Sequence, residues 1–229
     1  MLDNIIKRVL MVPQSTPREV LYIESGLLDA RTIINKNRIM MEHRIKEGQN
    51  NLMKQLILTE HKGSWNKETE KIKNDLQVTA QDLLGKKYTV KQNIKEKATK
   101  HMIEKMLEEG QNKSKVQFLL ENKKNTWNPG TRPEYMNKLT RTQTSTLFKC
   151  RTRMLEVKEN FKNMFTDNTC RMCGITTETQ THILEECKEV HQTNDLLTYK
   201  EEIFRNNIQE LKITAKKVET IMNMIKSKK

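Results

Sequence analysis

Glycine and proline are scarce, 7 and 4 in 229 residues, too few turn-formers for the many tight connections of a β-sandwich or barrel. Aromatics make up only 5%, so the core has to be built largely from Leu, Ile and 13 Met, which makes for a loosely specified interior. No run of about 18 apolar residues occurs, which excludes a membrane-spanning helix. The opening stretch to Val12 is interrupted by Asp3, Lys7 and Arg8, and no small-residue cleavage site follows, so it does not read as a secretion signal. Enzyme signatures are missing as well: there is no glycine-rich phosphate loop, no His-Glu-x-x-His, no Gly-x-Ser-x-Gly and no Asp-Asp pair. The acidic pairs Glu108-Glu109, Glu185-Glu186 and Glu201-Glu202 are adjacent in sequence and cannot both face one pocket from a helix. The expectation is a soluble, intracellular, mostly helical chain with no catalytic residues of its own.

Positive charge is what the chain has in excess. Lys and Arg number 42 against 29 Asp and Glu, a net charge of +13, the balance of a polyanion binder. Nucleic acid is the leading partner and an anionic membrane surface the second. The length allows one or two domains with a real core.

The expected fold is all-α, helical bundle-like regions with a small CCHC zinc-knuckle segment. Gly26, Gly48, Gly63, Gly85 and Gly110 are spaced as helix ends would be. Thr16, Pro17 and Glu19 supply an N-cap, a first-turn proline and its acidic neighbour for a short helix that stops by Gly26. Asp29 caps a helix over Ala30 to Glu47, with Ile33, Ile34, Met40, Met41 and Ile45 on its apolar face and Lys36, Glu42, His43 and Lys46 pointing away. Ile94, Ala98, Met102 and Met106 form a four-residue ladder on another helix. Asn125 to Pro133, NTWNPGTRP, is the one concentrated breaker cluster and the expected linker. A helix is expected over Leu139 to Leu155, and two more over Asn194 to Leu211 and Thr214 to Ile225. These divide the chain into 1–63, 64–137 with the linker at 125–133, 138–191 and 192–229.

The sharpest motif is Cys170, Cys173, His182 and Cys187, separated by two, eight and four residues. Three thiolates and one imidazole suit a tetrahedral zinc ion, and four protein ligands leave no open position, so the role implied is structural. Gly174 permits the left-handed turn of the Cys-x-x-Cys knuckle. Thr177 and Gln180 are expected to form a capping box for a helix that carries His182 in its first turns and Cys187 near its end. The competing reading is a chance grouping of cysteines, and His191 competes with His182 as a ligand. Cys150, beside Leu147 and Phe148, reads as a buried thiol.

Lys138, Arg141, Lys149, Arg151, Arg153, Lys158 and Lys162 crowd the segment entering the knuckle, with Arg171 and Lys188 at its edges. They are candidate phosphate contacts; the competing reading is a solvated helix face, and it weighs more heavily on Lys86, Lys87, Lys91, Lys95 and Lys97. Trp65, Trp127 and Tyr135 either stack on unpaired bases or anchor core and linker. His43, His61 and His101 sit among charged neighbours and read as helix-surface residues.

Two stretches resemble the C-terminal part of reverse transcriptases from non-LTR, LINE-type retrotransposons. TPREVLYIESGLLDARTIINKNRIMMEHRI, Thr16 to Ile45, looks like the thumb-side helices that follow the catalytic palm. LTRTQTSTLFKCRTRML, Leu139 to Leu155, followed by CRMCGITTETQTHILEEC, Cys170 to Cys187, is similar to the family's Arg-x-Arg helix and Cys-Cys-His-Cys segment, with Glu178 and Thr179 before the ligand His182 and Ile183 and Leu184 after it. Together the stretches cover about a third of the chain, and 50–134 match nothing in it. The resemblance implies a module that helps hold RNA template or target DNA during reverse transcription at a nicked chromosomal site. The palm motif with its catalytic aspartates would lie upstream of Met1, which makes a truncated copy or fragment the expectation, without polymerase activity. Relatives that continue into a restriction-like nuclease carry Pro-Asp after the zinc segment; no Pro-Asp follows Cys187 here. The implied setting is the nucleus or the cytoplasm, with RNA or DNA as partner. The alternative is a helical interaction protein with a structural zinc site and no specific nucleic-acid role.

Overall fold

Several of the helices begin where a short polar side chain, such as Asp29, Thr140 or Asn207, accepts from a free N–H group of the first turn. In the computed structural model, which describes residues 2–59, 63–123, 131–161, 164–191 and 199–228, the chain is mostly helical, with no strand among the described residues. Helix α1 spans Leu2–Val9, α2 Arg18–Ser25, α3 Ala30–Glu47, α4 Asn51–Thr59, α5 Ser64–Asp75 and α6 Lys87–Gly110. They are followed by α7 (Ser114–Lys123), α8 (Tyr135–Lys138), α9 (Arg141–Arg151), α10 (Tyr199–Ile203) and α11 (Ile208–Ser227). Asp29 accepts from the N–H of Thr32 at 2.7 Å and α3 has the expected bounds. Asn207 caps α11. Thr140 and Gln143 form a reciprocal capping box on α9, a Thr-x-x-Gln signature legible in the sequence that the reading above passes over.

Several local expectations are corrected. Thr16 does not cap α2: its hydroxyl donates to the Pro13 carbonyl, and Pro17 occupies the N-cap position. The helix expected over Leu139 to Leu155 is the shorter α9 alone, begun by that capping box at Thr140 and ended at Arg151, and a separate short helix, α8, precedes Leu139. The last helices break at Asn207 instead of between Leu211 and Thr214, because the Asn207 side chain starts a new helix there. On α3 the buried residues are Ile39, Met40 and Glu42, whereas Ile34 and Met41 are more than half exposed. The periodicity shows that a face exists, but the approach of α5 decides which residues belong to it: Lys73 arrives there and its ammonium lies 2.8 Å from the Glu42 carboxylate. Of the expected linker, 125–130 lie outside the described residues, as do His61, Trp127, Lys162 and the start of the segment expected from Asn194.

The apolar residues gather in two clusters that cut across the linear division of the chain. The smaller one joins Ile39 and Met40 of α3, Ile72 and Leu76 of and after α5, and Val90, Ile94 and Ala98 of α6. The larger one collects α1, α2, the second half of α6, α7, α8, α9, the knuckle, α10 and α11. Helix α6, about 36 Å long at 1.5 Å per residue, runs through both: its expected ladder puts Ile94 and Ala98 in the small cluster and Met102 and Met106 in the large one. Within the large cluster, α9 packs along α11 and α2 lies against α6 and α7.

Candidate metal centre

The segment from Asn168 to Cys187 is short of apolar residues, so its shape depends on hydrogen bonds. The Cys170 N–H donates to the Thr176 carbonyl at 2.7 Å, and the Glu178 N–H donates to the Asn168 carbonyl at 2.8 Å. They close a minimal antiparallel ribbon with one bridge, Thr169 to Thr177. At its tip the Gly174 N–H donates to the Cys170 carbonyl at 2.8 Å, and Gly174 takes the left-handed φ of 66° expected of it. Thr177 is therefore part of the ribbon and caps nothing. Thr179 takes that place, its hydroxyl accepting from the His182 N–H at 3.0 Å.

The next turn, His182–Glu186, is π-type, with the Cys187 N–H reaching back to the His182 carbonyl at 2.7 Å. On an α-helix, residues five apart point about 140° away from each other at 3.6 residues per turn. The wider turn closes after five residues and brings Cys187 round beneath His182. The ligand atoms of Cys170, Cys173, His182 and Cys187 all lie within 4.8 Å of one another. Cys170 Sγ and Cys187 Sγ are 3.9 Å apart, and Cys173 Sγ is 3.4 Å from His182 Nε2. A tetrahedral ion held at about 2.3 Å from sulfur requires sulfur–sulfur edges near 3.8 Å, so these four residues fit a metal ion. His191 is not part of the group; its Nε2 lies 3.2 Å from the Ile183 carbonyl. Cys150 is fully buried on α9, and burial pushes its thiol up to about 12.

Electrostatics divide the tetrad. The backbone N–H groups of Thr176 and Ile175 hold the Cys173 thiol down to about 6. Burial, reinforced by the Cys170 sulfur, pushes Cys187 up to about 12. Outside the tetrad, the Glu186 carboxylate stands 3.6 Å from His182 Nδ1, where an acidic partner orients a metal-bound imidazole. With all four corners supplied by protein, the arrangement can hold a metal ion, and an ion so held would have no coordination position open to a reacting water.

Two buried polar residues anchor the knuckle to the helices. Glu178, fully buried, accepts from Arg171 through both oxygens at 2.6 and 2.9 Å, from the Arg171 N–H and from the Lys158 N–H, each at 3.0 Å. Gln180 donates to the Cys150 carbonyl at 2.8 Å and to Tyr199 Oη at 3.2 Å, and accepts from the Leu155 N–H. Sequence pattern assigned Gln180 to a cap, and only the resemblance singled out Glu178; nothing in the sequence shows which backbone groups come to meet them.

The candidate phosphate contacts separate into two kinds. Arg151 is buried, donating to the Ile203 carbonyl at 2.6 Å and to Glu24 at 3.3 Å and lying over the Tyr135 ring at 4.5 Å. It is a core residue and not a surface contact. Arg171 is held by Glu178, Lys149 lies 2.9 Å from Glu156, and the largely buried Lys158 lies 3.3 Å from Asp167. Arg153, half-buried, sits over Phe118. Lys138 and Arg141 are exposed, although Arg141 also donates to the carbonyls of Arg8 and Val9 at the end of α1. Of the aromatics, Tyr135 is buried with its hydroxyl on Glu24, and Trp65 is half-buried under the Arg38 guanidinium. Compared with family models, with characterised proteins and with solved structures, the chain matches none.

Proposed function

We propose that this chain is the non-catalytic C-terminal part of a non-LTR retrotransposon reverse transcriptase, a zinc-stabilised RNA- and DNA-binding module that supports target-primed reverse transcription in the nucleus or cytoplasm. The observation that carries the reading is the convergence of three sulfurs and one imidazole on one closed site, in the order and spacing on which the family resemblance rests. Zinc suits this donor set, since a d¹⁰ ion accepts three thiolates and a histidine tetrahedrally without preference of its own. The net charge of +13 supplies the long-range attraction to a phosphate backbone. The zinc holds the knuckle in shape and the surrounding helices carry the charge; no polymerase step is assigned to the chain.

A second reading has its own support. Arg151, Lys149, Lys158 and Arg171 are engaged inside the molecule, as they would be in a helical interaction protein whose zinc site is purely structural.

A salt titration separates the two. Purified protein is assayed for metal, then for binding to structured RNA, single-stranded DNA and duplex DNA. One equivalent of zinc and an affinity that falls steeply with salt are expected. Cys173→Ser should lose the zinc, and His191→Ala should keep it. Absence of zinc, or no nucleic-acid binding at low salt, overturns the proposal; weak, salt-insensitive binding favours the interaction protein.

A further inference from the structure

Helix α6 treats its charges differently along its length. In its second half Lys100 and Lys105 each face an acid one turn on, Glu104 and Glu109, at 3.8 Å. In its first half Lys87, Lys91 and Lys95 form a row at four-residue spacing, all exposed, with no acidic partner among the described residues. Like charges one turn apart weaken a helix, so the row has an energetic cost that no acid among the described residues offsets.

Across the α3–α6 packing, Lys36 points at the same place. Its ammonium is pushed below the usual lysine range, first by burial and then by repulsion from Lys91 and Lys95. Beside it opens a groove of roughly 600 Å³ whose walls include Leu2 of α1, Leu27 after α2 and Ile33 of α3, and whose cations are Lys36, Lys95 and Arg132. No acidic side chain lines it. Arg132 reaches the groove because Gly26 has no side chain: a Cβ there would meet the Thr131 carbonyl carbon and oxygen at 2.5 Å and the Arg132 nitrogen at 2.7 Å.

We infer that this groove is a binding site for a single nucleic-acid strand, with phosphates on Lys36, Lys91, Lys95 and Arg132 and bases against the apolar wall. Cations without acids match a phosphodiester backbone, and the Leu and Ile side chains give unstacked bases a surface on which to leave water. The site deepens the nucleic-acid reading above and rests on it.

The test uses the zinc-loaded full chain and a fluorescent 12-nucleotide uridine strand, with anisotropy read from 50 to 400 mM salt. The variant Lys36→Gln/Lys91→Gln/Lys95→Gln is compared with a charge-matched control on α11, Lys212→Gln/Lys216→Gln/Lys217→Gln; helicity and zinc content confirm that both are folded. Losing three single-strand phosphate contacts should flatten the log–log salt slope by roughly 2 and weaken binding on the order of 10- to 100-fold near 0.1 M salt. Leu27→Ser should weaken the uridine strand more than an RNA duplex of the same length. If the groove and α11 variants lose affinity equally, or if the groove variant binds as the wild type does, the groove assignment fails while the general nucleic-acid reading stands. If the wild type binds no single strand at low salt but still binds structured RNA or duplex DNA, the groove assignment alone fails; if it binds none of them, both fail.

Discussion

Gly26 and Gly174 hold nearly the same left-handed backbone, φ of 64° and 66°, in different surroundings. A Cβ on Gly174 would meet nothing within 4 Å, whereas one on Gly26 would overlap the backbone of Thr131 and Arg132. Gly174→Ala should therefore cost only the left-handed conformation, about 1–2 kcal/mol. Gly26→Ala should cost more, because a second chain segment has to move. Urea unfolding of the two variants checks the order, and an equal loss would show that Thr131–Arg132 does not need its close approach. Glycine spacing marks Gly26 as a helix end and the Cys-x-x-Cys knuckle marks Gly174 as a turn, but only the crossing of 131–132 over the end of α2 separates a turn from a contact.

Among the helices, one side chain of α9 ties α10 to two other helices. The Arg151 guanidinium donates to the Ile203 carbonyl, the last residue of α10, and also to Glu24 of α2, whose Oε1 accepts from Tyr135 Oη of α8 at 2.7 Å. Four helices share this buried centre. Arg151→Ala should destabilise the fold by about 3–5 kcal/mol, since it removes a buried guanidinium that pairs with the Glu24 carboxylate and donates to the Ile203 carbonyl, and urea unfolding reads the loss directly. A surface phosphate contact would instead leave stability unchanged and lower nucleic-acid affinity. The Arg-x-Arg pattern of Arg151 and Arg153 identifies this part of α9 as special. That the pattern serves packing is a consequence of α2, more than a hundred residues earlier, lying against it, and no local reading contains that contact.

On the scale of the whole molecule, charge does two opposite things. Between helices it is paired: Glu156, just beyond α9, is gripped by Lys149 at 2.9 Å and by Lys226 of α11 at 3.0 Å. Burial alone would raise its carboxyl, but these two lysines hold it down to about 2 from an ordinary 4.5. A carboxylate whose folded pKa is depressed contributes stability that is present above about pH 4.5 and lost as the pH falls toward 2. Glu156→Gln should lower the thermal midpoint at neutral pH and flatten its decline over that window. Equal declines in variant and wild type would place the acid sensitivity elsewhere. At the α3–α6 groove, by contrast, Lys36, Lys95 and Arg132 share a wall with no acidic side chain on it.

Which residues make up the Cys/His cluster and how helical the chain is are local matters, legible in the sequence alone. Cysteine spacing, the Asp29 cap and the apolar ladder on α6 each depend on residues within a turn or two, where backbone geometry leaves few choices. Tertiary structure decided which face of α3 is buried, which of the knuckle-side arginines and lysines remain free, and how Gln180 and Glu178 hold the knuckle against α9. Those outcomes depend on meetings between residues such as Arg151 and Glu24 that are far apart in the chain, and a buried carboxylate takes whichever cation the fold delivers to it. The lysines of α6 read as an ordinary solvated face until α3 is packed beside them; Lys36 then completes a cluster that neither helix has by itself.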